Sequence, residues 1–300
     1  MLADGLLILD KKNNITSFGS LGAVKKAFAT KKAGHTGTLD KFATGVLLVL
    51  VGKAVKLNFM FENFIKEYTG TLRFGTETDT LDPEGEVIAD GPVPSREEVE
   101  AVLETFRGEI LQAPPAYSAL HINGRRAYEL AREGKAPEMK KRPVFIHELK
   151  IISWNAPEAV IRAKVSAGTY IRSLARDIAL AAGSRAHLTA LRRDAVGPFR
   201  LENTVIFDPE ENDTDLIKIL HPLDPELFKT LSVPYFFLDE KAADDFTNGR
   251  PLEKLLPLFV SAAHESKVAG FFKKKSPNEL LGVLTRENGK WSYAHVFANN

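Results

Sequence analysis

Residues 33–45 read AGHTGTLDKFATG and run directly into VLLVLV at 46–51. The first stretch is rich in Gly, Thr and Ala and follows neither a helical nor a strand period, so it predicts a loop. The second is an unbroken apolar run of strand length, which predicts a buried strand. A loop leaning on a rigid strand is where reactive groups usually sit. Asp40 is the carboxylate of this loop. Shielded by Phe42 and the strand, it would be partly desolvated and able to act as nucleophile or general base. Loop aspartates more often serve only their own turn, so the loop alone leaves both roles open.

Working outward, GLLILD at 5–10 predicts a second buried strand. Thr16 or Ser17 can cap a helix whose apolar stripe is Leu21, Val24 and Phe28. KEYTGTLRF at 66–74 alternates, with Tyr68, Gly70, Leu72 and Phe74 on one face. Ser95 and Glu98 form a capping box for a helix carrying Val99, Val102, Leu103 and Phe106, ending at Gly108. Residues 112–123 hold Pro114-Pro115 and predict a turn-rich connector. Residues 144–154 and 159–166 predict paired strands around a turn at 155–158. Gly168-Thr169-Tyr170 opens a helix with Ile171, Leu174, Ala175 and Ile178 inward, ending at Gly183. The acidic, proline-bearing stretch 208–226 predicts a linker or an added helical excursion. From Pro234 onward the pattern is a short strand, a helix near 241–248 and several short strands, a small and mainly β unit.

The chain has 300 residues, 44% hydrophobic and 26% charged, as in ordinary globular proteins. No apolar run approaches the ~20 residues of a membrane span, and the first residues lack the layout of a signal peptide. Cysteine is absent, which excludes disulfides, thiol nucleophiles and cysteine-bearing zinc sites. That absence fits a reducing cytosol, and a cytoplasmic location is expected. The seven histidines show no metal-ligand spacing, so no metal is expected. Net charge is only +1 but unevenly distributed. Segment 160–200 carries eight Arg or Lys against Asp177 and Asp194, and 1–66 carries ten Lys against four acids. Segment 76–104 reverses the balance, with ten acids against Arg96. Single charge runs are usually solvated surface. Two basic segments around candidate site residues suit a polyanion-binding face.

Other residues carry paired readings. Arg172 at a helix start can grip a carboxylate at two points or lie exposed on the surface. Tyr68 and Tyr170 can fill core or stack on an unstacked base. His35 can be solvated or touch RNA. Gly45 with Gly52-Lys53 has the wrong spacing for a phosphate loop, and Ala54 stands where a hydroxyl residue is needed.

GHTGTLDKFATG at 34–45 closely resembles the catalytic-loop motif of the bacterial tRNA pseudouridine-55 synthases, the TruB family. Five further blocks are similar to that family in the same order: GLLILDK at 5–11, KEYTGTLRFGTETDTLDPEGEV at 66–87, PPAYSALHINGRRAYELAREG at 114–134, GTYIRSLARDI at 168–178 and HLTALRR at 187–193. The likeness is dense from about residue 5 to 200 and weaker beyond.

By position, the resemblance implies that Asp40 is the catalytic aspartate, Tyr68 the tyrosine stacked on the target base and Arg172 the arginine paired with the aspartate. It implies substrate contacts for His35, Tyr170, Leu191 and Lys11. Lys12 and Lys41 depart from the family pattern, since both stand where proline is usual. Losing proline frees φ and permits the loop more states. The implied fold is α+β, a pseudouridine-synthase fold with a mixed, mainly antiparallel central sheet flanked by helices, plus a small β-rich C-terminal PUA-like domain. The implied division is 1–233 catalytic and 234–300 RNA-binding, with FFKKK at 271–275 either meeting an RNA end or forming an exposed turn.

The implied activity is conversion of uridine 55 in the tRNA T-loop to pseudouridine, without cofactor. The T-arm is the expected partner, with no membrane and no obligatory protein partner, and a monomer is the default. Three alternatives rank lower. A non-catalytic RNA binder would be marked by loss of Asp40, Tyr68 or Arg172. A ring-attacking C5-methyltransferase needs a thiol. An RNA-guided relative usually carries terminal extensions.

Overall fold

A computed structural model describes residues 4–122, 124–135, 138–207, 216–255, 257, 263 and 265–297. The main sheet has eleven strands. Eight form its path: β1 (Gly5–Lys11), β2 (Thr44–Val51), β3 (Lys66–Phe74), β4 (Gly108–Gln112), β5 (Arg142–Asn155), β6 (Glu158–Val165), β7 (Ala186–Val196) and β8 (Val205–Phe207). Their spatial order is β8-β1-β2-β7-β3-β6-β5-β4. The β8–β1 and β2–β7 pairs are parallel, and the other neighbours on the path are antiparallel. The sheet is therefore mixed and mainly antiparallel, as expected.

The apolar run of β2 is explained by burial on both faces. Leu47, Val49 and Val51 pack with Leu7, Leu9 and the helix α1 (Ser17–Ala27), through Leu21, Val24 and Phe28. Val46, Leu48 and Leu50 pack on the other face with Leu6, Ile8 and Phe61. Each fully buried side chain of this kind contributes about 1.5–3 kcal/mol. In β3, by contrast, Tyr68, Gly70, Leu72 and Phe74 are buried and the alternate residues are not. That face joins a cluster with Leu39, Phe42 and helix α4 (Ile171–Ala181). Before it come α2 (Arg96–Leu103), with the Ser95–Glu98 capping box, and α3 (Ala127–Arg132).

Two expectations need correction. The 33–45 stretch is not all loop, because Ala33–His35 pairs antiparallel with Val49–Val51 and Thr44-Gly45 begin β2. Nor is 208–226 a free linker in its described part; residues 208–215 lie outside the described set. Leu216 is buried in the α1 cluster, His221 and Pro222 pair with β1, and α5 (Pro225–Thr230) buries Leu227 and Phe228.

The C-terminal unit is a four-stranded sheet of β9 (Tyr235–Leu238), β10 (Val268–Lys273), β11 (Ser276–Glu287) and β12 (Lys290–Val296), in that order, with helix α6 (Glu240–Thr247). Phe272, Leu280, Val283 and Phe297 belong to the same buried cluster as Leu6, Leu48 and Phe61. Phe228 meets Phe272 edge-on with centroids 5.2 Å apart. The small sheet is thus fixed to the back of the large one by shared core. Phe271 and Phe272 are fully buried, so FFKKK is not an exposed turn as a whole; only its lysines reach the surface.

Candidate active site

The loop carrying Asp40 is held from three directions. Before the aspartate, Ser17 Oγ donates to the Leu39 carbonyl (2.9 Å) and accepts from the Leu39 N–H (2.8 Å). After it, Lys11 Nζ donates to the carbonyl of Lys41 (3.3 Å), and also to Lys12 (3.0 Å) and Ile15 (2.7 Å). From β7, Arg193 donates to the carbonyls of Gly37 (3.2 Å), Thr38 (3.2 Å) and Val46 (2.7 Å). Gly45, at φ +108°, lets Arg193 come this close, since a Cβ there would lie 2.3 Å from the Arg193 carbonyl oxygen. The loop is therefore fixed without proline at 12 or 41. Lys41 forms an ion pair with Glu84 at 3.2 Å.

Asp40 meets Arg172 at two points. Arg172 Nη2 donates to Oδ1 at 3.0 Å, and Nε lies 2.9 Å from Oδ2. Arg172 sits in the first turn of α4 and is almost fully buried. The start of α4 is pinned by Gln112, which accepts from the Tyr170 N–H (2.9 Å) and donates to the Tyr170 carbonyl (3.1 Å). Arg172 also donates to the carbonyls of Thr80 (2.8 Å) and Tyr117 (3.0 Å), and to Asp82 Oδ2 (3.2 Å). One guanidinium thus bridges two carboxylates.

Asp82 is buried, and accepts from Thr80 Oγ1 (2.6 Å) and the Glu84 N–H (3.0 Å). Burial pushes its carboxyl above the usual aspartate range, against the downward pull of Thr80 and Arg172.

These groups line one cleft of about 880 Å³. Asp40, Tyr68, Arg172, His35, Tyr170 and Leu191 all face it. Tyr68 and Leu191 are nearly buried in the wall, and Arg142 lies over the Tyr170 ring, 5.2 Å from its centroid. His35 Nδ1 is buried without a hydrogen-bond partner, and burial followed by the Arg193 charge lowers the imidazole's proton affinity. Lys11 is placed differently from the other expected residues. It is fully buried beneath the loop, bonded to one loop carbonyl (Lys41) and to those of Lys12 and Ile15 after β1, and does not line the cleft. Burial, then the nearby Arg193, lowers its ammonium to about 8.

The cleft walls carry Lys41, Lys66, Arg126, Arg132, Arg142, Arg172 and Arg193 against Asp40, Glu62, Asp82 and Glu84, a net cationic lining. Sequence reasoning missed Asp82, Arg193 and Ser17 as parts of this arrangement. Asp82 lies in the acidic segment 76–104, which the sequence marks only by its charge. Arg193 closes the HLTALRR block, and Ser17 in sequence shows only a helix-capping residue type. Among the described residues no cluster of His, Asp or Glu could hold a metal ion, and no helix is long and apolar enough to cross a membrane.

A family model described as TruB family pseudouridylate synthase (N terminal domain) matches residues 25–171. The tRNA pseudouridine synthase B of Burkholderia lata is 41% identical over 293 residues, spanning 96% of this chain and 88% of that protein. That of Borreliella burgdorferi is 44% identical over 208 residues, 68% of this chain and 74% of that protein. Among solved structures, a Cbf5-Nop10-Gar1 complex matches with a TM-score of 0.63 at 22% identity, over 98% of this chain and 84% of that one. An H/ACA ribonucleoprotein bound to a substrate RNA containing 2'-deoxyuridine matches with a TM-score of 0.62 at 22% identity, over 94% and 77%. Identity that low shows a shared fold and no more. Above 40% over nearly the whole length, sequence identity carries further, and the chain belongs to the TruB family of pseudouridylate synthases.

Proposed function

We propose that this isomerase converts the uridine at position 55 in the T-loop of tRNA to pseudouridine, with Asp40 as its catalytic carboxylate. The observation that carries the reading is Asp40 itself. It stands at 30% side-chain exposure in a cationic cleft, aimed by a buried arginine and backed by a tightly tied loop.

The reaction breaks the N-glycosidic bond, turns the base and rejoins it through carbon, with loss of the C5 proton. A base inside a folded RNA loop must first be extruded, at a few kcal/mol. The cationic walls offset that cost by holding phosphates. Tyr68 then stacks on the extruded base, while Leu191 and Tyr170 enclose it. Arg172 keeps the Asp40 carboxylate in one direction, so that it acts on a nucleotide already in place. The neutral imidazole favoured at His35 suits contact with RNA through the part of the ring that faces the cleft, Nδ1 itself being buried. Lys11 takes a positioning role beneath the loop in this scheme. Residues 234–300 serve as a PUA-like RNA-binding domain, and 1–233 as the catalytic domain. The site's own residues suffice without cofactor, and cytoplasmic tRNA is the substrate pool.

The test is incubation with an unmodified tRNA transcript, followed by pseudouridine mapping through chemical adducts and primer extension. One modified T-loop uridine, lost with Asp40→Asn, is the expected result. Tight binding without modification by the wild type would overturn the catalytic reading.

A further inference from the structure

Phe18 is the most exposed large apolar side chain among the described residues, at 74%. It occupies the second position of α1 and lines the mouth of the cleft beside Ser17, which bonds Leu39 next to Asp40. Core packing does not account for it. The inward stripe of α1 is Leu21, Val24 and Phe28, and Phe18 lies off it. Two turns along the helix, Lys25 Nζ lies over the ring, 5.7 Å from its centroid. The ring is thus supported by a cation on its own helix and otherwise open to solvent at the rim of a cationic cleft.

A flat ring next to an ammonium matches a nucleotide. The ring takes a base by stacking, and the ammonium takes the phosphate beside it. We infer that Phe18, with Lys25, forms a stacking platform for an unpaired base next to the one processed at Asp40. This rests on the RNA substrate argued above and adds a residue outside the cleft floor. An apolar ring has no donor or acceptor with which to read base edges, so the platform would contribute affinity and strand direction rather than sequence choice.

The experiment compares wild type, Phe18→Ala, Phe18→Trp and Ile206→Ala for tRNA binding and for modification across a range of RNA concentrations. Ile206 is 68% exposed on the outer strand β8 and does not line the cleft, so it controls for loss of any exposed apolar group. The expected result is about tenfold or greater weakening of binding with Phe18→Ala, as for loss of one base–aromatic stack. The deficit should fall on KM rather than kcat, with recovery in Phe18→Trp and wild-type affinity in Ile206→Ala. Wild-type affinity in Phe18→Ala would overturn the platform alone, as would a loss confined to kcat or one that Trp does not restore. A wild-type protein that neither binds nor modifies tRNA would remove the substrate reading and the platform together.

Discussion

Two carboxylates reach the same guanidinium from opposite kinds of chain. Asp40 comes from a Gly/Thr-rich loop in a lysine-rich region, Asp82 from the acidic segment 76–104. Asp40 remains 30% exposed toward the cleft, whereas Asp82 is 7% exposed behind Arg172. The two are alike in chemistry and unlike in access to solvent. In the proposed reaction Asp40, the more exposed of the two, is the one that meets the substrate. Asp82 fixes the far side of the arginine that aims Asp40, at the expense of burying a charge. Environment rather than residue type separates the two roles.

The strongest way to break this comparison is to exchange their consequences. Asp40→Asn should lower the single-turnover rate of pseudouridine formation by about 10³-fold or more. Its melting temperature should stay close to wild type, since the carboxylate is partly solvated. A modest rate loss would place the chemistry elsewhere.

Arg172→Ala should remove activity as well, but with a different accompaniment. It leaves Asp82 buried and unpaired, which costs about 3–5 kcal/mol in urea unfolding. The double variant Arg172→Ala with Asp82→Asn should recover much of that stability and none of the activity. Equal stability of the single and double variants would show that Asp82 carries no buried charge.

Asp82→Asn alone should slow the reaction about tenfold by loosening the aim of Arg172, yet leave stability at pH 7 equal to or above wild type. The sign follows from the raised folded-state affinity of Asp82 for its proton. Between the ordinary aspartate value and the raised one, the folded protein binds more protons than the unfolded chain. Stability from this group therefore falls as pH rises through that window, and the cost is fully present at neutral pH. The gap between mutant and wild-type urea midpoints should shrink as pH is lowered through it. A marked destabilisation at pH 7 would reverse the assignment.

The smallest effect is expected at the position where the family pattern has proline. Lys41→Pro should change stability by no more than about 1 kcal/mol and the rate by less than about threefold. Ser17, Lys11 and Arg193 already hold the loop, and the Lys41–Glu84 pair is half exposed, worth about 0–1 kcal/mol. A large gain in rate would mean that the loop is less fixed than its hydrogen bonds indicate.

Much of this architecture was legible because it is local. The apolar run of β2, the alternation of β3 and the Ser95–Glu98 capping box depend on neighbours a few residues apart. The pairing of Asp40 with Arg172 was read from resemblance of motifs, as spacing alone left both residues with ordinary alternatives. Asp82 and Arg193 were not legible. Asp82 meets its arginine across 90 residues of chain, and Arg193 reaches Gly37 across 156. An acidic run looks solvated until the fold turns one of its members inward.

The sequence by itself determined the strands β1, β2, β3, β5 and β6, the Ser95–Glu98 cap, the lack of thiol chemistry and the Gly/Thr-rich character of the stretch around Asp40. All of these follow from residue type and short-range period. Tertiary structure alone decided which carboxylate keeps contact with water, that Lys11 supports the loop from below, and that the small C-terminal sheet shares core with the large one. Those outcomes depend on burial, which is set only when distant segments pack together and exclude solvent.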